Sequence, residues 1–249
     1  MAMNSSPFPG FSPKALTFFK QLEKNNSREW FTPRKEQFEE LLRGPMIELV
    51  GQIVDDLRGF AVDHVIDPKK ALFRIYRDTR FSKDKTPYKT QLAAQFPRAK
   101  MPKYAAAAFY FSVSHKQVEI AGGMYMPGPE ELAAVREAIG ADEKTFRELT
   151  TAKALVKALG PLQGEKMARV PKGYSPDHPA ADLLRLKQFY FYVTLPAERA
   201  IKLGLRKEIV HNFRLLCPFV NYINEAILKK VRNEDDAVPA IPKRPAPMF

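Results

Sequence analysis

Cysteine is nearly absent from this 249-residue sequence, in which Cys217 stands alone. One thiol excludes an intramolecular disulfide framework and every cysteine-cluster zinc or iron–sulfur site, and it points to a reducing, cytoplasmic setting. Set in an apolar stretch before Pro218, that thiol is expected to be buried and inert. Histidine is scarce too. His64, His115, His178 and His211 form no pair at metal-ligand spacing, so no metal site is expected. No apolar run approaches the ~20 residues of a membrane span. The opening Met1 to Ser6 has no basic stretch leading into an apolar core, so no secretory signal and no membrane partner are expected. A P-loop, a dinucleotide-binding glycine fingerprint and a nucleophile-elbow serine are all missing, and the residues name no cofactor.

What is present is ordinary globular material, 45% apolar and 27% charged. At this length folding buries roughly three quarters of the unfolded chain's surface, so no staple is needed. One domain over residues 8–232 is expected, with a flexible N-terminus at 1–7 and a proline-rich tail at 233–249.

The patterning predicts an α+β fold with a mainly antiparallel sheet covered by N-terminal and C-terminal helices. Ser12 and Pro13 open a helix that Asn25-Asn26 closes. A second helix starts at Ser27 or Thr32-Pro33 and stops at Gly44-Pro45, and a third runs from Met46 to Gly59. The period then switches to two. Leu72 to Asp78, Thr90 to Phe96, Ala107 to Ile120 with a turn at Ser114-His115-Lys116, and Phe189 to Leu195 read as strands. Pro129 to Ile139 and Asp142 to Leu159 read as helices broken by Gly140 and Gly160. The last long helix, Leu205 to Ile227, carries a kink at Pro218.

Charge supplies the positive clue. Lys plus Arg number 40 against 28 Asp plus Glu, a formal charge of +12. Residues 69–103 hold eleven of the cations, from Lys69 to Lys103, against only Asp78 and Asp84, and so supply +9 of that total. Such concentration argues for an anionic partner at one place. If Arg74, Tyr76 and Asp78 share a strand face and the next loop folds back over it, then Arg77, Arg80, Ser82, Lys83, Lys85, Tyr88 and Lys89 converge there. Guanidinium forks and hydroxyls bind phosphate or carboxylate. Asp78 and Asp84 either hold neighbouring cations or include a general base, with Tyr88 or His178 as the acid. A solvated, self-paired charged loop is the plain alternative. A magnesium site of Asp78, Asp84 and Glu119 is disfavoured by the lysines around the first two.

Residues 74–90, Arg-Ile-Tyr-Arg-Asp-Thr-Arg-Phe-Ser-Lys-Asp-Lys-Thr-Pro-Tyr-Lys-Thr, resemble the signature of a widespread family of conserved hypothetical proteins, a domain of unknown function. Asn25 to Phe31, Gly122 to Pro127, Pro171 to Tyr174 with Asp177-His178-Pro179, and Lys187 resemble further family motifs. The likeness spans Phe11 to about Asn224, with Ala121 departing from a family glycine. It implies candidate residues and no activity.

Read physically, Gly122-Gly123 either lets backbone approach a ligand or makes a bulge. Lys172-Gly173-Tyr174 presents a cation and a phenol, or packs its tyrosine on the core. His178 is a base or a cap at a helix start. Trp30 and Phe31 read as core, and Arg28 sits where a helix start attracts anions. The expected function is binding of an anionic, phosphate-bearing small molecule. The alternatives are a nucleic-acid-binding module, for which Tyr76, Phe81, Tyr88, Tyr104 and Tyr110 supply aromatics, or an enzyme acting on a phosphorylated substrate. A single site is expected to gather Arg74, Asp78, Arg80 and Tyr88 with Arg28, Tyr125, Lys172 or Tyr174.

Overall fold

Ser12 caps α1 (Pro13–Lys24) by accepting from the Lys14 N–H at 3.3 Å, and Pro13 occupies the first turn, where a missing N–H is harmless. The structure, a computed structural model, describes residues 6–101 and 105–237. Lys103, Tyr104, the residues before Ser6 and the proline-rich stretch from Val238 lie outside the described residues. Within the range expected to be a flexible N-terminus, the Ser6 carbonyl accepts from Gln52 Nε2 at 3.1 Å.

Ser27 caps α2 (Arg28–Phe31), and the chain then stays helical through a 3₁₀ turn at Thr32–Arg34, α3 (Lys35–Phe38), a π turn at Glu39–Arg43 and α4 (Gly44–Leu57). Gly44-Pro45 is therefore not the expected stop. In the widened π turn the Gly44 N–H reaches the Glu39 carbonyl, and Pro45 falls in the first turn of α4, where no N–H is needed. A Cβ on Gly44 would stand 3.0 Å from that same carbonyl oxygen, which explains the glycine. Next comes α5 (Pro68–Ala71), capped by Asp67.

The sheet follows as β1 (Gln91–Pro97), β2 (Ala108–Ser114), β3 (Gln117–Met124) and β4 (Phe189–Pro196), all antiparallel and in the order β1-β2-β3-β4. The expected strand Leu72 to Asp78 is only extended chain with isolated bridges. Its start bridges β1 at Leu72–Ala94 and its end bridges Tyr76 to Tyr88, so neither half is long enough for a ladder.

Between β3 and β4 lie α6 (Pro129–Ala141), α7 (Glu143–Thr150), α8 (Lys153–Leu159) and α9 (Ala181–Leu184). Gly140 stays inside α6 rather than breaking it. The single helix expected over Asp142 to Leu159 divides at Thr151-Ala152. There the Thr150 and Thr151 hydroxyls bond back to the carbonyls of Phe146 and Arg147, in competition with the helical ladder. The last helix, α10 (Leu205–Ala237), contains Pro218 and extends into the range expected to be tail.

Period two gives the sheet two different faces. Phe96, Phe109, Phe111, Val118, Ile120 and Phe191 are buried under α10, where Phe213 stacks on Phe109 at 4.9 Å and Phe219 meets Phe191 edge-on at 5.0 Å. A Cβ on Gly122 would stand 2.8 Å from Leu216, so that glycine sets how closely α10 approaches. The fully buried Asn224 of α10 grips Ala107, accepting from its N–H at 2.9 Å and donating to its carbonyl at 3.0 Å. The other face, with the register row Gln95, Tyr110, Ala121 and Tyr192, carries no helix from this layer. The fold is α+β, and no described helix is long and apolar enough to cross a membrane.

Candidate functional site

The basic segment is an arm on the surface. Residues 75–77 and 87–89 form a short antiparallel ribbon through Arg77 N–H to the Pro87 carbonyl (2.9 Å) and Lys89 N–H to the Ile75 carbonyl (2.8 Å). The intervening tip pairs with itself. Arg80 forks onto Asp78 (Nε to Oδ1 3.0 Å, Nη2 to Oδ2 2.8 Å), and Arg77 donates to Asp84 and Thr86. Lys85 Nζ donates to the Thr79 carbonyl at 2.9 Å, while Lys83 is exposed and Phe81 is 96% exposed. The returning chain pairs back on residues 75–77, but the tip's arginines are taken by its own acids rather than gathered with Arg74, whose charge acts on Asp78 and Lys89.

That pairing fixes the protonation of both acids. The Arg80 guanidinium holds Asp78 down to about 2, and the Arg77 hydrogen bond does the same for Asp84. Carboxylates so stabilised are weak bases. Tyr88 is not placed as an acid either. It is 4% exposed, stacks on Phe31 at 4.1 Å, and burial raises its phenol. The Lys89 ammonium lies 5.1 Å from the Phe73 ring, and burial lowers its pKa.

Two motifs do meet at the base of the arm. Asn26 donates through Nδ2 to the Tyr88 carbonyl at 2.9 Å and accepts the Tyr88 N–H on Oδ1 at 3.0 Å. The clamp imitates a pair of ladder hydrogen bonds and ties the start of α2, with the exposed Arg28, to the arm. Phe31 and Tyr76 complete the contact with ring centroids 6.5 Å apart.

Next to this junction is a cleft of about 300 Å³ walled by Phe31, Phe38, Phe73 and Tyr76. Lys35 of α3, Arg43 of the π turn, Lys69 of α5 and Arg74 all line it, with Glu39 as the one carboxylate. Glu39 is taken by Arg43 at 2.9 Å. Lys35, Lys69 and Arg74 have no ion-pair partner among the described residues. Lys35 and Arg43 were not singled out from sequence, since isolated cations on helix faces read as solvated surface. Lys69 was seen only as part of the charge excess.

The motif at Gly122 to Tyr125 lies elsewhere, on the open sheet face. A cavity of about 500 Å³ there is bordered by Tyr110, Glu119, Tyr125, Tyr190 and Tyr192, with Phe73 on its rim. Gly123, at φ 130°, brings β3 so close to β4 that a Cβ would stand 2.2 Å from the Phe189 carbonyl oxygen. Strand and helix packing thus account for both glycines, rather than a bulge. The tyrosines had a sequence signal that went unread: in Phe189-Tyr190-Phe191-Tyr192, period two sends the phenylalanines inward and the tyrosines outward.

The third motif is in the helical layer. Tyr174 packs over Gly140 of α6, and its ring meets His178 edge-on at 5.9 Å. His178 Nδ1 accepts the Ala180 N–H at 3.0 Å in the turn just ahead of α9, whose first turn has no side-chain cap, so the ring fastens the approach to the helix rather than capping it. Lys172 is exposed beside them. Of the partners expected for Arg74, Asp78, Arg80 and Tyr88, Arg28 is beside the arm, where its charge acts on Tyr88, whereas neither cavity includes Lys172, Tyr174 or His178 and neither joins Arg74 to Tyr125. Among the described residues no three His, Cys, Asp or Glu side chains gather as a metal set.

No curated protein matches this chain. A family model does, the Conserved hypothetical protein (DUF2461) family, over residues 14–222. That match takes in the cleft, the arm, the sheet and most of α10, and the chain belongs to this family.

Proposed function

We propose that this protein binds a phosphate-bearing anionic ligand in the cleft lined by Lys35, Arg43, Lys69 and Arg74. The observation that carries the reading is the set of three cations without ion-pair partners, Lys35, Lys69 and Arg74, around a concave, aromatic-walled space. Exposed cations normally cost little and do little. Cations drawn from α3, α5 and the arm into one cleft repel one another, and an anion removes that repulsion. The adjoining π turn supports the reading, since π turns recur at functional sites. Arg74 is the only ligand-binding candidate from sequence that lines the cleft. Arg77, Arg80, Ser82, Lys83 and Lys85 belong to the arm, and Asp78, Asp84, Tyr88 and His178 do not line the cleft. The reading is therefore one of binding, with no acid–base pair assigned.

The arm favours a second reading. Phe81, 96% exposed with the Arg80 guanidinium 5.7 Å from its ring, suits stacking on a nucleic-acid base. Calorimetric titration with inorganic pyrophosphate, and with a single-stranded oligonucleotide at two salt concentrations, separates the two. The cleft reading expects saturable pyrophosphate binding that Arg74→Ala weakens about tenfold or more, while the variant melts with the parent. Unchanged pyrophosphate affinity in Arg74→Ala overturns it. Single-strand binding with a log–log salt slope of about −4, as six phosphate contacts would give, transfers the function to the arm.

A further inference from the structure

The open-face cavity shares Phe73 alone with the lining of the proposed anion site, and its chemistry has the opposite sign. Its floor is made of small residues: Ala121 lies in the register row between Tyr110 and Tyr192, and Ala108 pairs with Gly123. Tyr110 and Tyr192 therefore stand two strand spacings apart, roughly 10 Å. Tyr125 and Tyr190 close one side, in edge-to-face contact at 5.2 Å, and Tyr190 leans on Tyr192 at 6.1 Å. That spacing, between Cα atoms, leaves room over Ala121 for a small group flanked by the two tyrosine side chains.

One carboxylate enters this ring of phenols. Glu119 of β3 borders the cavity, and no lysine, arginine or histidine lies within ion-pair reach of it among the described residues. Both Tyr110 and Tyr190 feel its charge. Burial without a counter-ion pushes the carboxyl pKa up. An anionic ligand would face that carboxylate and the negative ring faces together. A neutral apolar ligand would leave the carboxylate as it is, and a compact cation satisfies both features.

We propose that the open sheet face is a binding site for a methylated ammonium group, held by cation–π contact with Tyr110, Tyr190 and Tyr192 and by the charge of Glu119. Methylation suits the site because tyrosine rings and the small residues Ala106, Ala108 and Ala121 line it, and methyl groups bury against such surface while keeping the charge. The Phe73 ring, already under the Lys89 ammonium, serves only as rim.

Choline is the probe, its trimethyl proton resonance the readout, and its neutral tert-butyl analogue the control. A tyrosine ring face shifts a methyl signal held against it upfield, which a surface ion pair does not do. The expected result is saturable choline binding with an upfield shift and a dissociation constant on the order of 1 mM. The neutral analogue binds about tenfold weaker or less. Glu119→Gln, which preserves shape, weakens choline about tenfold, and Tyr192→Leu does likewise at a position 42% exposed, where folding tolerates the change. Pyrophosphate binding is unaffected in both variants, so this test stands or falls apart from the anion cleft. Equal affinity for the neutral analogue, an unshifted methyl resonance, or a Glu119→Gln variant that binds choline like the parent overturns the proposal. The first two results need only the unmodified protein.

Discussion

Replacing Asn26 by alanine removes both hydrogen bonds that hold the base of the arm to the N-terminal helices. The Tyr88 N–H and carbonyl are partly buried there, beneath a ring that is 4% exposed and stacked on Phe31. Each lost bond is worth about 1–1.5 kcal/mol, so the variant loses about 2–3 kcal/mol of unfolding free energy. For a protein of this size 1 kcal/mol moves the melting temperature by roughly 2–4 °C, which puts the expected drop at about 5–10 °C. Urea unfolding followed by the fluorescence of Trp30, which lies in α2 beside the clamp, measures the loss directly. Asn26→Asp is the informative companion. It keeps an acceptor for the Tyr88 N–H but sets a carboxylate against the Tyr88 carbonyl, so it does not rescue stability. A consequence for binding follows, because Arg74 and Tyr76 keep their place in the cleft through the Phe31, Tyr76 and Tyr88 contacts. Pyrophosphate affinity is expected to fall with stability. A loss below about 0.5 kcal/mol in Asn26→Ala would refute the reasoning, since it would mean that water replaces the clamp at no cost.

Gly123→Ala combines φ 130° with a Cβ 2.2 Å from the Phe189 carbonyl oxygen, and is expected to cost more than ~3 kcal/mol or prevent folding. Gly160→Ala, with nothing within 4 Å of the added Cβ but φ 77° and ψ −170°, a region essentially kept for glycine, costs ~1–3 kcal/mol of backbone strain without any clash. Denaturant midpoints of the two compare them. His64 is 1% exposed, with Nδ1 2.8 Å from the Phe96 carbonyl, and burial lowers its pKa below the ordinary 6.5. Protonation therefore occurs first in the unfolded chain. The contribution of His64 to stability is complete above that pH and declines as pH falls through the folded value. Unfolding free energy measured from roughly pH 7 to 5 should fall less steeply in His64→Gln.

Local chemistry was legible wherever a short stretch of chain decides the outcome. Ser12-Pro13 marked the start of α1 because a cap and a missing N–H act within one turn, and the alternation in Phe189 to Leu195 marked β4 because adjacent side chains must leave a strand on opposite sides. Gly44-Pro45 misled for a physical reason. A stop depends on how the preceding turn is bonded, and a π turn converts the same pair into a continuing helix. Leu72 to Asp78 misled because alternation fixes which side chains point together but supplies no partner strand.

The candidate site divides along the same line. Sequence alone determined that positive charge concentrates between Lys69 and Lys103, that Asp78 and Asp84 are the acids within it, and that the sheet has one apolar face and one bearing tyrosine. Charge count and period two are properties of neighbours along the chain. Only the tertiary structure decided that Arg77 and Arg80 are consumed by those acids while Arg74 is left open, and that Lys35 and Arg43, from helices far back in the sequence, join it. The tyrosine face likewise became a cavity only when β2, β3 and β4 paired, setting Glu119 one row along the same face from Tyr110, Ala121 and Tyr192. Clefts are made by segments meeting across the fold, and the forces that bring them together, burial of Phe31 against Tyr88 and of the sheet against α10, act between residues whose proximity no local pattern encodes.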